Sequence, residues 1–195
     1  MKKLKLLPVA ALLVLFSGAA SAANITLTDA QIAAFAFSAA NSSSNVVSGS
    51  NDNNGFFDVD FDSNSPGAGL GVFDLTGLSI SYSAGDVFSL LFTNLNFSDW
   101  GFEVVVMTDG GDFTSGVTTI SPGFSSNLSA TLASGSTITG IEIRVSGTIP
   151  NISNPGGIPD VASDWRVQAV PEPGSLLLMG SGLALLGLLS RRRRS

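Results

Sequence analysis

The sequence predicts an all-β domain, an antiparallel β-sandwich of jelly-roll or immunoglobulin-like type, carried between two apolar end segments. Three observations predict it. Leu78, Ile80 and Tyr82 alternate with Ser79, Ser81 and Ser83, and Ile141, Ile143 and Val145 alternate with Glu142 and Arg144. A period of two is that of a strand with one face buried. Short β-branched and aromatic runs recur along the chain, and clusters of Gly, Pro, Ser, Asn and Asp separate them, as in a sandwich.

Taken in chain order, residues 1–22 come first. Lys2, Lys3 and Lys5 precede an apolar run over residues 6–16, and Ala20-Ser21-Ala22 follows. This is the pattern of a cleavable signal peptide, with Ala20 and Ala22 as the small residues read by signal peptidase and cleavage after Ala22. The apolar run is about 11 residues long, well short of the ~20 that span a bilayer as a helix.

Residues 23–169 form the β-sandwich domain, about 147 residues, enough to bury a core without disulfides or metals. Residues 28–40 are its helical candidate, with Thr28 or Asp29 as cap and several alanines behind it. A strand over 32–37 competes for the same segment. Strands are expected at 56–61, 71–75, 78–82, 87–95, 102–107, 117–120, 127–132, 141–145 and 165–170. Turn signals lie at 83–86, 109–112, 121–123, 134–136 and 154–157.

Residues 170–195 end the chain. Val170-Pro171-Glu172-Pro173 leads to an uncharged apolar stretch, 176–189, and then to Arg191, Arg192, Arg193 and Arg194. As a helix the stretch reaches ~21 Å, against ~30 Å of hydrocarbon core. Gly180, Gly182 and Gly187 weaken it further. A short transmembrane helix of this kind is expected to anchor only transiently. The four arginines and the N-terminal lysines are expected to stay in the cytoplasm, which places the domain beyond the inner membrane.

The three parts of this tail, in this order at the chain's end, resemble the PEP-CTERM sorting signal of Gram-negative bacteria. The resemblance covers about 26 of the 195 residues and implies an exosortase substrate. Exosortase, a membrane transpeptidase, would recognise Pro171, Glu172 and Pro173 and remove the tail. The two prolines suit such a groove, because they hold the segment extended and leave few backbone donors. The resemblance also implies a surface or extracellular-matrix destination and an association with exopolysaccharide and biofilm.

Composition narrows the chemistry. The sequence holds no cysteine and no histidine, which removes thiol nucleophiles, Ser-His-Asp and Cys-His pairs and every histidine metal site. Between Ala23 and Val170 only Arg144 and Arg166 stand against fourteen acids. A surface of that sign repels phosphate, so no nucleic-acid partner is expected. The protein is expected to be non-enzymatic and to need no cofactor.

Two constellations stand out against that background. Asp58, Asp60 and Asp62 alternate with Val59 and Phe61 and would share one face of a strand, where Ca²⁺ relieves carboxylate repulsion. Ser63 and Gly69 stand where a calcium loop needs Gly and Glu, so the pattern is no EF-hand. Trp100 and Trp165 each follow an aspartate and are candidate platforms for a sugar ring, in a carbohydrate-binding module with Ca²⁺ support. A glycan-active hydrolase is a more distant alternative, since no carboxylate pair is marked out.

Overall fold

The computed structural model describes residues 22–61, 67–96, 98–149 and 161–170. Twelve strands and one helical turn are present among them: β1 (Asn24–Ile25), α1 (Asp29–Ile32), β2 (Ala36–Phe37), β3 (Val46–Asn51), β4 (Phe56–Phe61), β5 (Gly67–Ser81), β6 (Val87–Asn94), β7 (Trp100–Thr108), β8 (Gly111–Thr114), β9 (Thr118–Ile120), β10 (Ser125–Thr131), β11 (Thr137–Ile149) and β12 (Val161–Ala169).

They form two six-stranded sheets. In the first, β10 pairs one side of β6 along residues 87–93, and β12 pairs the other side along 90–94. β1 continues the column of β12 beside Val87 and Phe88, in the parallel sense. β4 and then β3 follow outward from β12. In the second sheet the order is β2-β5-β11-β7, with β8 and β9 end to end along the far side of β7. Apart from β1, the pairings are antiparallel, as the alternating patterns require.

One core lies between the sheets. Phe57, Leu90, Phe92 and Trp165 from the first sheet pack with Phe73, Phe102, Val104 and Ile143 from the second. Trp165 is its centre: the indole stacks on Phe57 (4.5 Å, 15°) and on Phe92 (5.8 Å, 14°) and meets Phe73 and Phe102 at steeper angles. Offset stacking and edge contacts of this kind suit the ring quadrupole.

Several expectations are redrawn. The helix is a single turn. Thr28 caps it, with Gln31 closing a capping box. The chain then turns to β2, so the segment serves both as cap and as strand and extends neither. The runs at 71–75 and 78–82 belong to one strand, β5. Between them the register with β11 slips around Gly77, whose φ is 76°. That bulge moves the buried phase from Phe73 and Leu75 to Leu78, Ile80 and Tyr82, which in sequence resembles a break. β3 and β8 escape notice in the sequence because Val-Val-Ser-Gly-Ser-Asn and Gly-Asp-Phe-Thr read as loop. Among the described residues no helix is long and apolar enough to cross a membrane. Residues 1–21 of the expected signal peptide and the whole of the expected C-terminal helix lie outside the described residues.

Candidate functional site

β4 sorts its side chains by parity. Phe57 and Val59 are buried, and Phe56, Asp58 and Asp60 take the outer face. On one side β3 places Ser50 opposite Asp58 and Ser48 opposite Asp60. Ser48 Oγ donates to Asp60 Oδ2 at 2.5 Å. On the other side β12 places residue 164 opposite Asp58 and residue 166 opposite Phe56. Two of the three predicted aspartates therefore share a face. Asp62 lies outside the described residues. Among the described residues no group of three or more acidic, His or Cys side chains is close enough to hold a metal ion.

Phe56 is 40% exposed, and the Arg166 guanidinium sits over its ring at 4.9 Å from the centroid. Such a contact is worth about 0.5–1 kcal/mol at an exposed site. Arg166 lines one hollow and Phe56 another. One, of about 220 Å³, is lined by Asp29, Asn53, Asn54, Arg166 and Gln168 among others. The other, of about 390 Å³, is lined by Ser50, Asp52, Phe56, Asp58 and Leu95, with Trp165 beneath it.

The two tryptophans are not surface platforms. Trp165 is 0% exposed and Trp100 3%. Trp165 lies under the second hollow without contributing surface to it. Trp100 is packed against Gly147, where an added Cβ would come within 2.3 Å of its ring. Both indoles face inward because alternation puts them in phase with Phe102 and Val167, and the opposite sheet covers that phase. The proposed sugar contacts at Trp100 and Trp165 are corrected accordingly: neither ring offers a face to a saccharide.

Three further acids, Asp109, Glu103 and Glu142, are tied into the fold. Asp109 accepts from Ser136 N (2.8 Å), Thr137 N (3.0 Å) and Ser136 Oγ (2.8 Å). These bonds, the Ser136 amide first, hold its carboxyl below the usual range. It fastens the β7–β8 hairpin to the loop before β11, which is the turn role its sequence suggested. Arg144 pairs with Glu103 at 3.3 Å and with Glu142.

A buried residue that sequence reasoning missed is Asn94, 0% exposed at the end of β6. Its Nδ2 donates to Ser98 O (2.8 Å) and Ile120 O (2.7 Å), and its Oδ1 accepts from Asn96 N (2.9 Å). It ties Asn96 and Ser98 to β9. Its place on the inward phase of β6, in step with Leu90 and Phe92, is the one clue the sequence held.

The two chain junctions complete the picture. Ala23 N donates to Asp86 Oδ1 at 2.8 Å and Ala23 O accepts from Val87 N at 2.9 Å, so the chain is fastened one residue after the predicted cleavage point at Ala22. Ala20 lies outside the described residues. At the other end β12 is an inner strand, and Val170 N donates to Thr26 Oγ1 at 3.2 Å. Pro171, Glu172 and Pro173 follow within ~11 Å of chain. They and Arg191, Arg192, Arg193 and Arg194 lie outside the described residues.

A family model described as the PEP-CTERM protein-sorting motif matches residues 169–194. The match begins on the last residue of β12. The chain thus carries a PEP-CTERM sorting motif, which marks an exosortase-sorted extracellular protein, exported and handled through its C-terminus at the membrane. No curated protein and no solved structure matches the chain.

Proposed function

We propose that the chain is a non-enzymatic structural protein of the cell surface or extracellular matrix of a Gram-negative bacterium, associated with exopolysaccharide in a biofilm. In this reading signal peptidase removes residues 1–22. The tail then holds the protein briefly in the inner membrane until exosortase cuts it.

The observation that carries the reading is the continuity of body and tag: the PEP-CTERM match starts where the inner strand β12 ends. A strand paired on both sides resists pulling, so the recognition element is presented close to a folded body. The absence of His and Cys from the whole sequence supports a structural role over a catalytic one. The test is Glu172→Ala, or deletion of the exosortase, in the source bacterium. The expected product is heavier and stays in the membrane fraction. Unchanged release would overturn the proposal.

A second reading, a saccharide-binding module with Ca²⁺ support, draws on the outer face of β4. Phe56 is the exposed aromatic there, beside Ser50, Asp52 and Asp58, and Asp60 shares the same face. Retention on the host's matrix polysaccharide, measured with and without EDTA and for Phe56→Ala, tests it. No retention in any arm would sink it.

A further inference from the structure

A sheet edge is an open row of N–H and C=O groups, and folded proteins normally blunt it with charge, proline, bulges, brevity or a covering segment. Among the described residues, three of the four sheet edges are blunted. β3 carries a register slip between Val46 and Ser48. The segment before it also covers it: the Phe37 ring lies on Gly49, and Asn51 Nδ2 donates to Ile32 O and Phe35 O. The edge of β5 is covered by residues 36–43 through β2, Ser38 N to Val72 O and Ser43 N to Leu70 O. On β7 the edge pieces β8 and β9 have four and three residues, and Asp112 sits in β8.

The fourth edge, β10, has none of these devices. It is seven residues long, Ser-Ser-Asn-Leu-Ser-Ala-Thr, with no charge and no proline. Its register with β6 runs unbroken from Ser125 to Thr131. β8 and β9 lie near it in the other sheet, yet among the described residues no backbone hydrogen bond joins its outer side to any element.

The stretch of chain that contains β10 is also uncharged. No charged residue occurs from Phe113 to Ile141, in a body with fourteen acids and two arginines. Two copies of so acidic a protein repel each other over most of their surface. Along this run they do not. Phe124, 68% exposed, stands at the start of the strand and lines an open hollow of about 330 Å³ with Ile120, Ser125 and Ser126.

We propose that β10 is a self-association edge, at which a second copy of this chain adds its own β10 in antiparallel register. The occupant follows from the chemistry. Only an extended strand satisfies a row of alternating donors and acceptors. β10 is complementary to itself about a two-fold axis near Leu128: Asn127 of one copy meets Ser129 of the other, and Ser126 meets Ala130, with no like charges opposed. Pairing makes a continuous sheet across two bodies and covers Phe124 at each end. The inference is independent of how the chain is sorted.

Sedimentation velocity on the full chain, in detergent so that its apolar tail is masked, tests the proposal across a dilution series. The wild type is expected to shift from monomer to dimer mass as concentration rises. Ser129→Lys, an exposed edge position, is expected to remain monomeric. Thr76→Lys adds the same charge at an exposed site on β5 and is expected to dimerise like the wild type. A wild type that stays monomeric throughout, or a dimer equally present in Ser129→Lys, would overturn the proposal. Should Ser129→Lys lose its β-sheet circular dichroism, amide exchange of the wild type decides. Slower exchange at 125–131 with rising concentration supports the edge, and unchanged exchange refutes it.

Discussion

The backbone nitrogen of Ala23 donates to Asp86 Oδ1 at 2.8 Å, across 63 residues of sequence. The same carboxylate accepts from Ser83 N at 2.8 Å. The Ser83 amide first, and Ala23 second, hold Asp86 below the usual carboxylate range. A folded value below the unfolded one stabilises the fold above about pH 4, and this contribution is lost as pH falls through the folded value. Asp86→Asn is therefore expected to lower the thermal midpoint at neutral pH and to lessen the loss of stability on acidification. Unfolding curves of both proteins from neutral to strongly acid pH check it. Equal midpoints throughout would sink the idea.

Cleavage after Ala22 would convert that donor from an amide to an α-ammonium. The contact would then be an ion pair, screened by salt. Chains that begin at Ala23 are expected to lose more from Asp86→Asn in low salt than uncleaved chains do. Paired melts at two ionic strengths give the comparison. An identical loss in both chain forms would count against an ion pair.

Asn94→Leu keeps approximate size and removes the buried amide. The carbonyls of Ser98 and Ile120 lose their donor, at about 1–3 kcal/mol for each group left unsatisfied in the interior. Denaturant titration is expected to show a lower midpoint with an unchanged slope. A loss below about 1 kcal/mol would mean that water replaces the amide.

Trp165→Ala removes the ring that joins Phe57 and Phe92 to Phe73 and Phe102. The expected cost is about 3–5 kcal/mol, the range for large aromatic truncations in a core. Trp165→Phe, which keeps an aromatic body, should recover part of it. A sugar-platform role would instead leave stability nearly unchanged and abolish ligand retention, which the burial of this side chain argues against.

Gly147→Ala would place a Cβ 2.3 Å from the Trp100 ring. Overpacking of that kind costs about 1–3 kcal/mol. Tryptophan fluorescence followed during unfolding reads both the stability and the changed surroundings of Trp100. A variant as stable as the wild type would show that the indole can move aside.

By itself the sequence determined the parity of most strands and the sorting motif of the tail. Leu78–Ile80–Tyr82 and Ile141–Ile143–Val145 declare a period of two, because side chains must alternate across a pleated backbone. The tail was legible because its motif, apolar stretch and arginines are contiguous, and no folding is needed to bring them together. Parity also grouped Asp58 with Asp60, and Trp165 with Val167.

What parity cannot say is which phase faces the other sheet. That was decided by stacking, which put Trp100 and Trp165 inside and left Phe56 and Arg166 outside. Asn94 became a structural knot only because its inward phase meets the backbone of Ile120, 26 residues away. The bulge at Gly77 hid one long strand behind a change of phase, since it depends on the partner strand's register. The exposure of the β10 edge, too, is a property of the assembled sheets: a strand's own residues fix its faces, while its neighbours alone determine whether its hydrogen bonds are spent.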